Sequence, residues 1–203
     1  MTEYLGAGIV LGLSAGFSPG PLLALVISQT LRYGMREGIK AAAAPLVTDV
    51  PIILLALLVL SRLASFRPVL GLISLSGGMF VAWLAVEGFR SGRLPASAPA
   101  AVPQSLGRGV LVNLLSPHPY LFWLTVGAPT VLKGWGEGGL SAIAFVAGFL
   151  GSLVGAKVAV SFTVGRSRHL LDGRTYGYLM KALAVLLLAF AVLLVRDGFR
   201  LLG

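Results

Sequence analysis

Apolar residues in this 203-residue chain fall in long runs separated by short polar clusters, without the strict alternation of a half-buried strand. About 20 apolar residues suffice for a helix to cross the hydrocarbon core of a bilayer. Six stretches meet that requirement, at roughly 4–31, 39–61, 69–89, 108–132, 139–165 and 176–199. The sixth is interrupted near its start by Lys181, whose long stem can carry the ammonium group to the interface. The pattern predicts an all-α integral membrane protein with six transmembrane helices.

Two of these runs are broken from within. Ser18-Pro19-Gly20-Pro21 lies in the first and Ser116-Pro117-His118-Pro119 in the fourth. Proline lacks a backbone donor and clashes with the preceding turn, so two prolines one residue apart interrupt a helix rather than bend it. At membrane depth the opened amides and carbonyls must face protein, water or a solute, an arrangement that secondary transporters use at the bilayer midplane. Helices 1 and 4 are therefore expected to be broken at Ser-Pro-x-Pro.

The recurrence points to a duplication. The third run of each half ends alike, with Glu87-Gly88-Phe89-Arg90 in one and Asp197-Gly198-Phe199-Arg200 in the other. Between the halves, the stretch from Leu94 to Gln104 is rich in Pro, Ala and Ser and free of charge. The expected organisation is a first three-helix repeat at 1–93, a cytoplasmic linker at 94–106 and a second three-helix repeat at 107–203. A repeat with an odd number of spans inserts its second copy upside down, which yields two inverted repeats.

Loop charge sets the orientation. The connections after the first, third and fifth runs carry Arg32, Arg36, Lys40, Arg90, Arg93, Arg108, Arg166, Arg168, Arg174 and Lys181, against Arg62, Arg67, Lys133, Arg196 and Arg200 on the other side. The positive-inside rule places the first group in the cytoplasm and both termini outside. The chain is expected to cross its membrane several times. Nothing at Met1-Thr2-Glu3-Tyr4 resembles the basic start of a cleavable signal, so the first run is expected to remain as a span.

Composition agrees and excludes other classes. Hydrophobic residues make up 57% and charged ones 11%, with a mean hydropathy of +0.92, far from a soluble domain with about a quarter charged residues. The net charge of +9 sits in clusters between apolar runs rather than along a face with interleaved aromatics, so no nucleic-acid partner is expected. Absence of cysteine removes thiol chemistry and cysteine-ligated metals. No nucleophile triad, HExxH or P-loop occurs, so the chain is read as no enzyme, with no cofactor and no resident metal.

Charges inside the runs are the candidate chemistry. Asp49, midway along the second run, would cost roughly 2.5 to 3.5 kcal/mol at the bilayer centre unless it faces an interior cavity. Lys157 holds the corresponding depth of the fifth run, and in inverted halves the two approach one midplane from opposite sides. They can pair with each other; burial disfavours the charged form of either, which suits a proton-coupled carrier. The competing reading is structural, with Asp49 answering backbone groups freed by Pro45 or Pro51 and Lys157 in a fixed ion pair or reaching for a headgroup. His118 lies between the prolines of the second break, where an imidazole can relay protons or cap a carbonyl. Ser18, Asn113 and Ser116 can hold either released backbone groups or a solute. Trp83, Phe122, Trp123 and Trp135 read as interface anchors or cavity walls, with the anchor role favoured for Trp135. Ala41 to Ala44, Gly77-Gly78 and the series Gly148, Gly151, Gly155 read as packing faces.

Together these residues resemble the LysE/RhtB-type exporters of amino acids and related solutes. Pro19-Gly20-Pro21 is similar to the family's Pro-Gly-Pro signature, and Gly34-Met35-Arg36-Glu37-Gly38 followed by Asp49 resembles its Gly-x-x-x-Gly run and aspartate. The segment from Asn113 to Trp123 resembles its Asn-Leu-Leu-Asn-Pro-Lys-Ala motif with following aromatics. The chain departs from the family at Leu22 and Ser116, where asparagine is common, at His118, where it has lysine, and at Pro119, where it has alanine. The resemblance implies six helices in an inner membrane and efflux driven by a proton or membrane-potential gradient.

The expected function is proton-coupled export of a small amino-acid-like solute from a midplane site. The expected substrate- and proton-binding residues are Ser18, Pro19, Gly20, Pro21, Asp49, Asn113, Ser116, Pro117, His118, Pro119 and Lys157. Expected partners are a small-molecule substrate, protons and the lipid bilayer, and a homodimer is allowed. The rival readings are a metal-cation exporter, which would have to manage with Asp49 and His118 as good ligands, and a non-transporting membrane scaffold.

Overall fold

In the computed structural model, which describes residues 1–59, 67–90, 104–167 and 173–202, every regular element is helical. The first run forms α1 (Thr2–Phe17) and α2 (Pro21–Tyr33), set at 63° to each other. The break follows from its prolines. A residue before proline is pushed out of the helical region, and Ser18 and Gly20 take extended backbone at φ −59°, ψ 127° and φ −168°, ψ 174°. Pro21 then starts α2 at the position where its missing N–H has no helical partner to lose.

Gly34, at φ 98°, turns the chain into α3 (Met35–Ala42), which runs almost directly into α4 (Ala44–Val59). The second span thus begins at Met35, four residues ahead of the expected start. Next come α5 (Arg67–Arg90), α6 (Ser105–Leu114), α7 (Pro117–Phe122), a π turn (Trp123–Gly127) and α8 (Ala128–Gly136). The chain ends with α9 (Gly139–Ser167) and α10 (Gly173–Leu202). The expected linker falls outside the described residues as far as 103, and Ser105 already opens α6. The connections bearing Arg62, Arg93 and Arg168 also lie outside the described residues.

Among the described residues three helical stretches are long and apolar enough to cross a membrane, at Met35–Leu58, Gly139–Ser167 and Lys181–Leu202. The bent pair α1 and α2 makes a fourth. The third expected run is one 24-residue helix, α5, whose apolar part is the shorter Leu75–Val86. The fourth is divided among α6, α7 and α8.

Glycines set the closest helix packing. A side chain at Gly12 of α1 would collide with the Phe149 carbonyl of α9, and one at Gly16 would meet Ala156 at 2.6 Å. Gly8 faces Phe145 in the same way, so α1 and α9 run parallel along a seam of small residues. Gly148 of α9 meets Leu5, whereas Gly151 and Gly155, expected on the same stripe, have nothing within 4 Å. The seam is therefore carried by the glycines of α1, which pack against Phe145, Phe149 and Ala156 of α9. A second seam joins α5 and α10 antiparallel, through Gly71, Gly78 and Gly198.

Candidate functional site

Both breaks open onto one cavity of about 370 Å³, within the range of small-ligand sites. The first break contributes Ser18, Pro19, Gly20 and Pro21, and the second Ser116, His118 and Pro119. Asp49 enters from α4, Asn113 from α6 and Lys157 from α9, with Phe122, Trp123, Phe149 and Phe190 as aromatic walls. Of the expected substrate- and proton-binding residues, Pro117 alone is not on this wall; it is buried at the start of α7.

Asp49 is 2% exposed and its carboxylate is surrounded by donors. Asn113 Nδ2 donates to Oδ1 at 2.9 Å and Trp123 Nε1 to Oδ2 at 3.2 Å, while Thr48 Oγ1 lies 3.2 Å from Oδ1. Asn113 also donates to Thr48 Oγ1 at 2.6 Å, which fixes the amide across α4. The carboxylate thus acts as an acceptor, the role an ionised group prefers.

Trp123 is fully buried, edge-on to Phe122, Phe145 and Phe149, and its indole N–H points at Asp49. That resolves the choice between anchor and wall: Trp123 is wall and hydrogen-bond donor, whereas Trp83 and Trp135 are 52% and 66% exposed. The available sequence signal was the indole N–H itself, which needs a partner when buried in an apolar run. A π turn beginning at Trp123 was not readable from the apolar pattern, yet π turns recur at functional sites.

Lys157, 4% exposed, does not bond Asp49. Its ammonium donates to the Gly16 carbonyl at 3.0 Å. Gly16 belongs to the last turn of α1, whose carbonyls have no helical partner and carry the negative end of the helix dipole. Lys157 therefore caps the first half-helix, and the cavity holds an acidic and a basic side chain that are kept apart.

The second break is answered locally. Tyr120 Oη donates to the Leu114 carbonyl at 2.9 Å, capping the end of α6, and Ser116 Oγ lies 3.2 Å from His118 Nδ1. The interruption falls at Leu115 and Ser116, so both Pro117 and Pro119 sit inside the first turn of α7. Pro119 fits there because the carbonyl four residues back, that of Leu115, lies outside α7. At the first break, by contrast, the first helical bond of α2 runs from Ala24 N to Gly20 O. Pro21 has no N–H and no side chain caps the turn, so the amides of Leu22 and Leu23, two residues of the cavity wall, have no helical partners.

An apolar helical protein whose interrupted helices enclose a cavity with buried, opposite charges is a membrane transporter in architecture. The chain belongs to the LysE type translocator family, whose model matches residues 13–198. That membership makes it a transporter and not an enzyme. It is similar to the chemotactic transduction protein ChpE of Pseudomonas aeruginosa, at 29% identity over 155 residues covering 71% of this chain and 73% of that protein. No solved structure matches it.

Proposed function

We propose that the protein exports a small zwitterionic, amino-acid-like solute in exchange for protons, and that the cavity between the two breaks is its binding site. The observation that carries this reading is the separation of the charges: Asp49 and Lys157 line one cavity and are each tied to the helix preceding a break rather than to each other. A zwitterion matches that pattern. Its ammonium group meets Asp49, and its carboxylate meets Lys157 and the free amides of Leu22 and Leu23 at the positive end of α2. Ser116 and His118 line the same wall, with His118 positioned to pass a proton.

Two features support six spans in two inverted halves. The first helix of each half packs parallel to the second span of the other: α1 along α9, and α6 along α3 and α4 through Gly109 at Ala41 and Asn113 at Thr48. The third spans, α5 and α10, pack antiparallel, as two copies of one helix do about a two-fold axis. Rocking of one half against the other then alternates access to the cavity. Loop charge places Arg32, Arg36 and Lys40 at the cytoplasmic face of an inner membrane.

A metal-cation cargo is not favoured, because among the described residues no three His, Cys, Asp or Glu side chains gather into a candidate site. Transport is tested in proteoliposomes loaded with a panel of amino acids under an imposed pH gradient. Wild type should release at least one solute in a gradient-dependent manner and Asp49→Asn should not. Equal flux from both would remove Asp49 from the mechanism.

A further inference from the structure

A third pair of matching segments lies at the two ends of the molecule, outside the cavity. Gly34-Met35-Arg36-Glu37-Gly38 leads from the broken helix of the first half into α3, and Gly134-Trp135-Gly136-Glu137-Gly138 closes α8 at the end of that of the second. Each has one glycine in the left-handed region where the chain turns, Gly34 at φ 98° and Gly138 at φ 126°. Each also presents a glutamate to the start of the opposite half.

At one end Tyr4, near the start of α1, donates its hydroxyl to Glu137 Oε1 at 2.9 Å, and its ring packs over Gly134. At the other end Ser105, the first residue of α6, is fully buried beside the Glu37 carboxylate and donates to Gln29 Oε1 at 2.9 Å. Glu37 Oε1 accepts from Lys40 at 2.6 Å, while its Oε2 is buried with no hydrogen-bond partner. The same end is stitched by Thr30 Oγ1 and Ser161 Oγ at 2.9 Å, and Ser161 also donates to the Met35 carbonyl. From Ser141 to Ser161 α9 rises about 30 Å, so the two glutamates sit near opposite ends of the span.

We propose that two hydrogen bonds are paired gating latches, Tyr4 to Glu137 at one end and Ser105 to Gln29, beside Glu37, at the other: each fastens the end of one half's broken helix to the start of the other half's broken helix, and each holds one mouth of the cavity. Rocking the halves must part these contacts in alternation, since each joins the two bodies that move. The inference rests on the transport reading for its motion, but its geometry is independent of the solute.

The absence of cysteine in the chain makes the test direct. A single Ala15→Cys, on the cavity wall, is labelled in sealed membranes by a charged maleimide applied from one face or the other. Tyr4→Phe and Glu137→Ala should raise the labelling rate about threefold from the Tyr4 face and lower it from the Glu37 face, the change expected for loss of one hydrogen bond. Gln29→Ala and Ser105→Ala should do the reverse. A merely structural role would raise both faces together or change neither, and either result overturns the latches. Labelling from neither face in the parent would show a dry interior and would overturn the carrier reading as well, whereas labelling that ignores all four variants would leave that reading intact.

Discussion

The two breaks begin from the same four-residue pattern and satisfy their opened backbone by different means. At the first, the orphan carbonyl of Gly16 is capped by a charge from another helix, Lys157 of α9. At the second, the orphan carbonyl of Leu114 is capped by Tyr120, six residues further along the same chain. The charge facing the second break, Asp49, is held instead by side-chain donors, Asn113 and Trp123. In the proposed mechanism one break therefore depends on an ammonium group that a solute draws away, and the other is closed by its own neighbours. The lesson is that a duplicated motif can serve one site with a movable half and a fixed half.

The sharpest way to break the comparison is to remove the cap that only one break has. Lys157→Met leaves the buried Gly16 carbonyl unpaired and Asp49 without a counter-charge in the cavity. It should lower unfolding free energy in detergent by about 2 kcal/mol and abolish flux. A seam substitution comes next. Gly12→Val drives a side chain into the Phe149 backbone and should cost about 2 kcal/mol by overpacking, while Gly155→Val, with open space around it, should cost no more than about 0.7 kcal/mol. Denaturation midpoints of the two variants check that contrast.

Tyr120→Phe tests the fixed half. Loss of its bond to Leu114 should cost about 1 kcal/mol and leave gradient-driven flux close to wild type, since the cap does not contact the solute. The smallest effect is expected from Ser116→Ala, which removes only the 3.2 Å contact to His118: stability should fall by no more than about 0.5 kcal/mol, read from the thermal midpoint. If Ser116→Ala destabilised more than Lys157→Met, the assignment of movable and fixed halves would be reversed.

Much of this was legible in the sequence, for reasons that are local. Proline chemistry acts within a turn of its own residue, so both interruptions fall where Ser-Pro-x-Pro lies, and intramembrane charge is costly enough that Asp49 and Lys157 share one polar interior. Where the sequence left choices, long-range geometry made them. Lys157 was equally able to pair with Asp49, but the carbonyl at the end of α1 lies in its reach. The glycines of α9 invited a packing stripe, yet the seam runs along Gly8, Gly12 and Gly16, which only the parallel docking of α1 selects. The π turn at Trp123 and the capping by Tyr120 depend on how α7 meets its neighbours, and an apolar run carries no sign of either.

Solute binding by the purified protein tests the central claim most directly. A ligand that binds only the folded state raises the thermal midpoint with its concentration, so a panel of amino acids is titrated against wild type, Asp49→Asn and Lys157→Met. The account expects at least one zwitterion to stabilise wild type and neither variant. The same zwitterion stabilising all three equally would contradict it.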